Sequence, residues 1–150
     1  MKSWVLLIGI WCSFSNLLIG QTSGPTSLIT WDTFRDISYQ KKFNTEVGVD
    51  FLYPTFGKSV KKLNGNLIKI KGYMIPIDME KQYYVLSKFP MSQCFFCGLA
   101  GPETILMLNL KRKYPRFKTD EKRTFCGRLR LNAANVYELN YILEEAILIE

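Results

Sequence analysis

Leu67-Ile68-Lys69-Ile70-Lys71-Gly72-Tyr73-Met74-Ile75-Pro76-Ile77 is the stretch whose reading decides the fold. Ile68, Ile70, Gly72 and Met74 fall on one face and Lys69, Lys71 and Tyr73 on the other, the two-residue period of a long strand with one solvated side. A glycine in mid-strand costs stability unless the strand must bend or another backbone must come close. Sharp bends of this kind carry a strand from one side of a small barrel to the other. Gly72 therefore points to a barrel.

Working outward, Asp78 to Lys81 reads as a polar turn and Gln82 to Ser87 as a second strand in a hairpin with the first, stopped by Pro90. Thr104 to Leu110 reads as a third strand, apolar on both faces. Arg123 to Leu131 alternates cleanly, with Phe125, Gly127, Leu129 and Leu131 inward and Thr124, Cys126, Arg128 and Arg130 outward. Upstream, Thr30 is placed to cap a short helix carrying Trp31, Phe34 and Ile37, a lid for the barrel end. Asp50 to Phe56 is an aromatic stretch broken by Pro54, and Asn64-Gly65 is a turn. At the other end Asn135 and Glu138 have capping-box spacing, and Val136, Leu139, Ile142, Leu143, Ala146 and Ile147 repeat with helical period, which predicts a C-terminal amphipathic helix. The sum is an α+β fold, a small OB-like β-barrel of 4–6 strands flanked by terminal helices.

The 150 residues are 47% apolar and 14% aromatic, enough for one core and one domain. Residues 1–20 run from Lys2 into an apolar stretch ending at Gly20, which reads as a secretory signal peptide. Trp11 is too bulky for lipid processing at Cys12. Residues 21–29 form a flexible lead-in and residues 30–150 the OB-like domain. Removing residues 1–20 takes away Lys2 alone and lowers the formal charge from +7 to +6. The expected destination is the periplasm or the medium, with no membrane span after cleavage.

The chain has no histidine. That excludes Ser-His and Cys-His nucleophile pairs and removes the commonest transition-metal ligand. No phosphate loop or nucleophile elbow is present. Asp78, Glu80 and Glu103 are the central acids, and the first two look like turn residues. Lys111, Arg112, Lys113, Tyr114, Arg116, Phe117 and Lys118 interleave cations with rings as single-strand nucleic-acid loops do, but an exported domain seldom meets nucleic acid, and the stretch reads as a solvated loop.

Cys94-Phe95-Phe96-Cys97-Gly98 is the chemical feature. A two-residue spacer lets both sulfurs converge on one ion, and the trailing glycine suits a metal knuckle. Cys126, Glu103, Asp78 or a methionine is left to complete the ligand set, and zinc or copper is the expected cofactor. Two other readings of the pair stay open: a thiol-disulfide redox site, and structural cysteines in a ligand-binding or structural module.

Lys71-Gly72-Tyr73-Met74-Ile75-Pro76-Ile77-Asp78, Tyr84-Val85-Leu86-Ser87 and Cys94 through Glu103 together resemble a family of exported bacterial proteins of unknown function, most of all its Bacteroidetes branch. The similarity runs from about Ile29 to the C-terminus. In the wider family the corresponding loop carries a Cys-x-His pair, so the resemblance places Cys97 where a histidine is expected and leaves the metal's identity open. Cys126 stands where relatives carry lysine, and no ligand role transfers to it. Some relatives sit beside transporter genes of metal homeostasis, which implies envelope metal-transport components as partners and favours a non-enzymatic metal site over redox chemistry.

Overall fold

The computed structural model describes residues 26–150. The expected signal peptide, with residues 21–25 of the lead-in, lies outside the described residues. In chain order the strands are β1 (Ser27–Leu28), β2 (Ile37–Asn44), β3 (Val49–Phe56), β4 (Leu67–Asp78), β5 (Tyr83–Ser87), β6 (Ile105–Leu110), β7 (Lys122–Leu131) and β8 (Tyr141–Leu148). One four-residue α-helix, Lys58–Lys61, and one-turn 3-10 segments make up the helical content among the described residues. The protein is mostly β, and the α+β expectation is corrected to that extent. No helix among the described residues is long and apolar enough to cross a membrane.

β4 organises the molecule as its sequence predicts. Its first half, Leu67 to Tyr73, runs antiparallel to β7, and its second half, Tyr73 to Asp78, runs antiparallel to β5. β5 pairs with β6, β6 lies parallel to β8, and β8 returns to β7, so five strands close into a barrel. Gly72 sits where β4 changes partners. A Cβ there would lie 2.6 Å from the Ser87 carbonyl oxygen and 2.8 Å from Leu86 Cγ, so the glycine is required by close approach.

Alternate residues fill the barrel. Ile68, Ile70 and Met74 from β4 meet Tyr84, Leu86, Leu106, Phe125, Leu129 and Leu143 in one buried cluster. At one end Trp31 and Phe34 seal it from the 3-10 segment Trp31–Arg35, the predicted lid in tighter form. The Trp31 indole donates to the Lys71 carbonyl at 2.8 Å, and the Phe34 ring stacks on Tyr141 at 4.2 Å. Ile37, expected on that lid, instead opens β2. At the opposite end Phe117 packs edge-on against Tyr84 and Phe125.

The predicted C-terminal helix is absent, and β8 takes its place. The cause is a bulge: Glu145 adopts φ +50°, and the pairing with β7 slips between Cys126 and Arg128. The extra residue moves the inward positions from Tyr141 and Leu143 to Ala146, breaking strict alternation. Ile142 is also buried, so apolar residues at 139, 142, 143, 146 and 147 imitate a helical stripe. Asn135 does bond Glu138 as predicted, but within a turn, where Asn132 ties the segment by donating to the carbonyls of Asn135, Glu138 and Leu139.

β2 and β3 form a separate two-stranded arm, paired from Ile37–Phe56 to Asn44–Val49. Pro54 is tolerated there because a two-stranded ribbon leaves outer edges without ladder bonds. Ser27–Leu28, read as flexible lead-in, adds a short parallel strand to β4.

Candidate functional site

The loop joining β5 to β6 carries the cysteine pair. Pro90 starts a 3-10 turn at Met91–Gln93, and a second follows at Phe95–Cys97, closed by Cys97 N–H to the Cys94 carbonyl at 3.1 Å and Gly98 N–H to that of Phe95 at 2.9 Å. Gly98 takes φ +74°, a left-handed turn that reverses the chain directly after Cys97 and suits glycine. A third turn, Pro102–Thr104, leads into β6, and Thr104 Oγ1 donates to the Gly101 carbonyl. The Asp120 carboxylate accepts the Met91 N–H at 2.7 Å and pins the loop to the β6–β7 connection.

The two cysteines share one turn but meet different surroundings. Cys94 is fully buried on the outer face of the barrel, packed with Ile75, Val85 and Ile105 and covered by Phe95 and Leu139. Cys97 is exposed, and its thiol donates to the Met91 carbonyl at 2.9 Å. The three described cysteines are free thiols. Cys97 ends a one-turn 3-10 segment, and Cys94 stands at its N-cap position without a side-chain capping hydrogen bond.

The other nominated ligands lie elsewhere. Cys126 is on β7, opposite Lys69 on one side and Ile147 on the other. The Glu103 side chain folds back over Gly101, and its charge helps hold the Tyr39 and Tyr141 phenols above their ordinary range, after the larger effect of burial. Asp78 is a turn residue whose Oδ1 accepts the N–H groups of Glu80 and Lys81, which lowers its carboxyl. Among the described residues no three His, Cys, Asp or Glu side chains are grouped to hold one ion.

In the basic stretch, Phe117 is turned into the barrel end and Tyr114 packs against the core, its ring 5.1 Å from the Arg112 guanidinium. Both rings are occupied within the domain.

A cleft of about 320 Å3 opens beside the cysteine loop, between β3, the start of β5 and the β7–β8 connection. Phe51, Tyr83, Phe95 and Asn140 line it, with Asp50 and Glu138 among its polar residues. Sequence reasoning missed this feature because the arm was not recognised as a strand pair. The available signal was the aromatic density of Phe51-Leu52-Tyr53.

Glu138 is fixed by Arg130, whose guanidinium donates both terminal nitrogens to it at 3.0 and 3.1 Å and Nε to Glu144 at 2.7 Å. The Arg130 hydrogen bonds hold the Glu138 carboxyl below its ordinary value of 4.5. A carboxyl depressed on folding stabilises the fold above its unfolded value, and that contribution is lost as pH falls through the folded value. Urea unfolding should thus show stability declining below about pH 4.5, with a shallower decline in Glu138→Gln. Identical pH profiles for the two proteins would show that Arg130 leaves the Glu138 proton equilibrium unchanged.

No family model matches the chain, and no curated protein is detectably similar to it in sequence. Among solved structures it is similar to the crystal structure of a DUF3299 family protein from Pseudomonas aeruginosa PAO1, with a TM-score of 0.52 and 12% identity, over 85% of this chain and 98% of that one. At that identity the likeness concerns the fold alone.

Proposed function

We propose that this chain is an exported, non-enzymatic barrel domain of OB-like topology that binds one soft metal ion through Cys94 and Cys97, as an accessory to envelope metal handling. The five-stranded closure with a parallel β6–β8 pair supports the OB-like reading. The apolar start of residues 1–20 and the resemblance to exported bacterial proteins support export.

One observation carries the metal reading: two free thiols stand one 3-10 turn apart, one of them open to solvent, with Gly98 reversing the chain behind them. The donor set narrows the choice between zinc and copper. A closed zinc site needs four ligands. Two thiolates alone suffice for a cuprous ion, which prefers soft sulfur and accepts low coordination. The pair therefore fits cuprous copper, whereas zinc would need ligands from outside the pair. Binding removes both thiol protons, that of Cys97 now shared with the Met91 carbonyl, and draws on a Cys94 sulfur that rests against Ile75, Val85 and Ile105.

The burial of Cys94 favours a second reading, in which both cysteines are structural and the loop only covers the barrel face. Elemental analysis of the chain purified under reducing conditions and exposed to cuprous ion separates the two. The metal reading expects about one copper per chain, lost in Cys97→Ser without change in the circular dichroism spectrum, because Cys97 is exposed and packs no core. Metal-free protein, or equal copper in the variant, refutes it.

A further inference from the structure

We infer that the cleft between β3, β5 and the β7–β8 connection is a binding site for a short, neutral saccharide, separate from the thiol pair. Its volume, about 320 Å3, lies at the small end of the range for ligand clefts. Three half-buried rings, Phe51, Tyr83 and Phe95, contribute to its wall, drawn from the arm, the barrel and the cysteine loop. Rings of this kind present apolar faces to the C–H groups of a sugar.

Charge decides the ligand class. The lining holds two carboxylates, Asp50 and Glu138, and no cation, in a chain of formal charge +7. Each carboxylate is met by a cation rooted outside the lining: Lys41 reaches Asp50 at 3.0 Å and Arg130 reaches Glu138 at 3.0 Å. An anionic ligand thus finds no cation in the wall, and a cationic one finds carboxylates already balanced. Acceptor capacity remains. Lys41 occupies Oδ2 of Asp50, and Asn140 uses its amide N–H toward the Tyr39 hydroxyl, leaving Asp50 Oδ1 and Asn140 Oδ1 without hydrogen bonds among the described residues. Hydroxyl groups are among the uncharged donors that match such acceptors, and a sugar presents several of them beside its C–H faces.

The test is a 15N NMR titration of the full chain with maltose, cellobiose and N,N′-diacetylchitobiose as neutral probes, phenethylamine as the cation and benzoate as the anion. At least one disaccharide is expected to give saturable shifts at the amides of Phe51, Tyr83 and Phe95, with a dissociation constant on the order of millimolar that weakens about tenfold in Phe51→Ala and in Asp50→Asn. The Asp50 variant guards against a Phe51 variant that disturbs the arm. Absence of saturable shifts with all three disaccharides, tighter binding of phenethylamine or benzoate, or affinity unchanged in both variants overturns the inference. None of these outcomes bears on copper content, so the thiol reading stands or falls separately.

Discussion

Phe34→Ala is expected to cost the fold about 3–5 kcal/mol, the range for removing a buried aromatic ring. Phe34 is fully buried, its ring stacks on Tyr141, and Trp31 meets it edge-on at 5.8 Å. Its carbonyl accepts the Tyr141 hydroxyl at 2.9 Å, so ring and backbone act on the same partner. Alanine would leave a cavity at the barrel end with rigid strands around it and little capacity to collapse. Tyr141→Phe is the milder control: it keeps the stacked ring and loses one buried hydrogen bond, worth about 1 kcal/mol. Urea unfolding of both variants checks the order. A Phe34→Ala midpoint equal to that of the wild type would mean that the 3-10 lid opens independently of the barrel.

Gly72→Ala is expected to destabilise by about 1–3 kcal/mol or more, the range for overpacking a close contact. The backbone angle at Gly72 is not in the left-handed region, so the cost comes from contact alone. A Cβ would meet the Ser87 carbonyl oxygen at 2.6 Å, Leu86 Cγ at 2.8 Å and Trp31 Cζ2 at 3.1 Å. Ser87 pairs with Tyr73 next along β4, so its carbonyl cannot retreat without loosening the β4–β5 ladder. Gly48 is the contrasting case: nothing lies within 4 Å of its added Cβ, but its φ is +73°. Alanine there is expected to cost about 1–2 kcal/mol through backbone strain. A Gly72→Ala protein that unfolds at the wild-type urea midpoint would contradict the account of why β4 carries its glycine.

How much was legible follows from how each strand is buried. β4 has one face in the core and one toward solvent, so Ile68-Lys69-Ile70-Lys71 announces its period, and the barrel followed from Gly72; β7 was found by its alternation although Thr124 and Cys126 are buried along with Phe125. β8 misled because its bulge at Glu145 and its burial on both faces convert alternation into an apparent helical stripe. β2 was invisible for the opposite reason: Gln40, Lys41, Lys42 and Phe43 are all exposed on the arm, so burial imposes no pattern on them.

The site was legible to a similar degree. The Cys94-x-x-Cys97-Gly98 spacing located the loop and its glycine turn, whereas Cys126, read as outward on the polar face, is buried. Buried thiols were one of the readings left open for the pair, but that Cys94 alone would be buried was not read, although the doubly apolar β6 carried the signal. An outer barrel face bearing Ile75, Val85 and Ile105 must be covered, and the cysteine loop is its cover. Ligand partners for the pair depended on tertiary placement, and Glu103 and Cys126 lie away from the thiols for reasons no spacing rule contains.

The most direct test of the central claim is X-ray absorption at the copper edge on the chain loaded with cuprous ion under reducing conditions. The account predicts a first shell of about two sulfur atoms and no nitrogen or oxygen neighbours, with the signal abolished in Cys97→Ser. A shell dominated by oxygen or nitrogen, or the same sulfur shell in the variant, would contradict metal binding by Cys94 and Cys97.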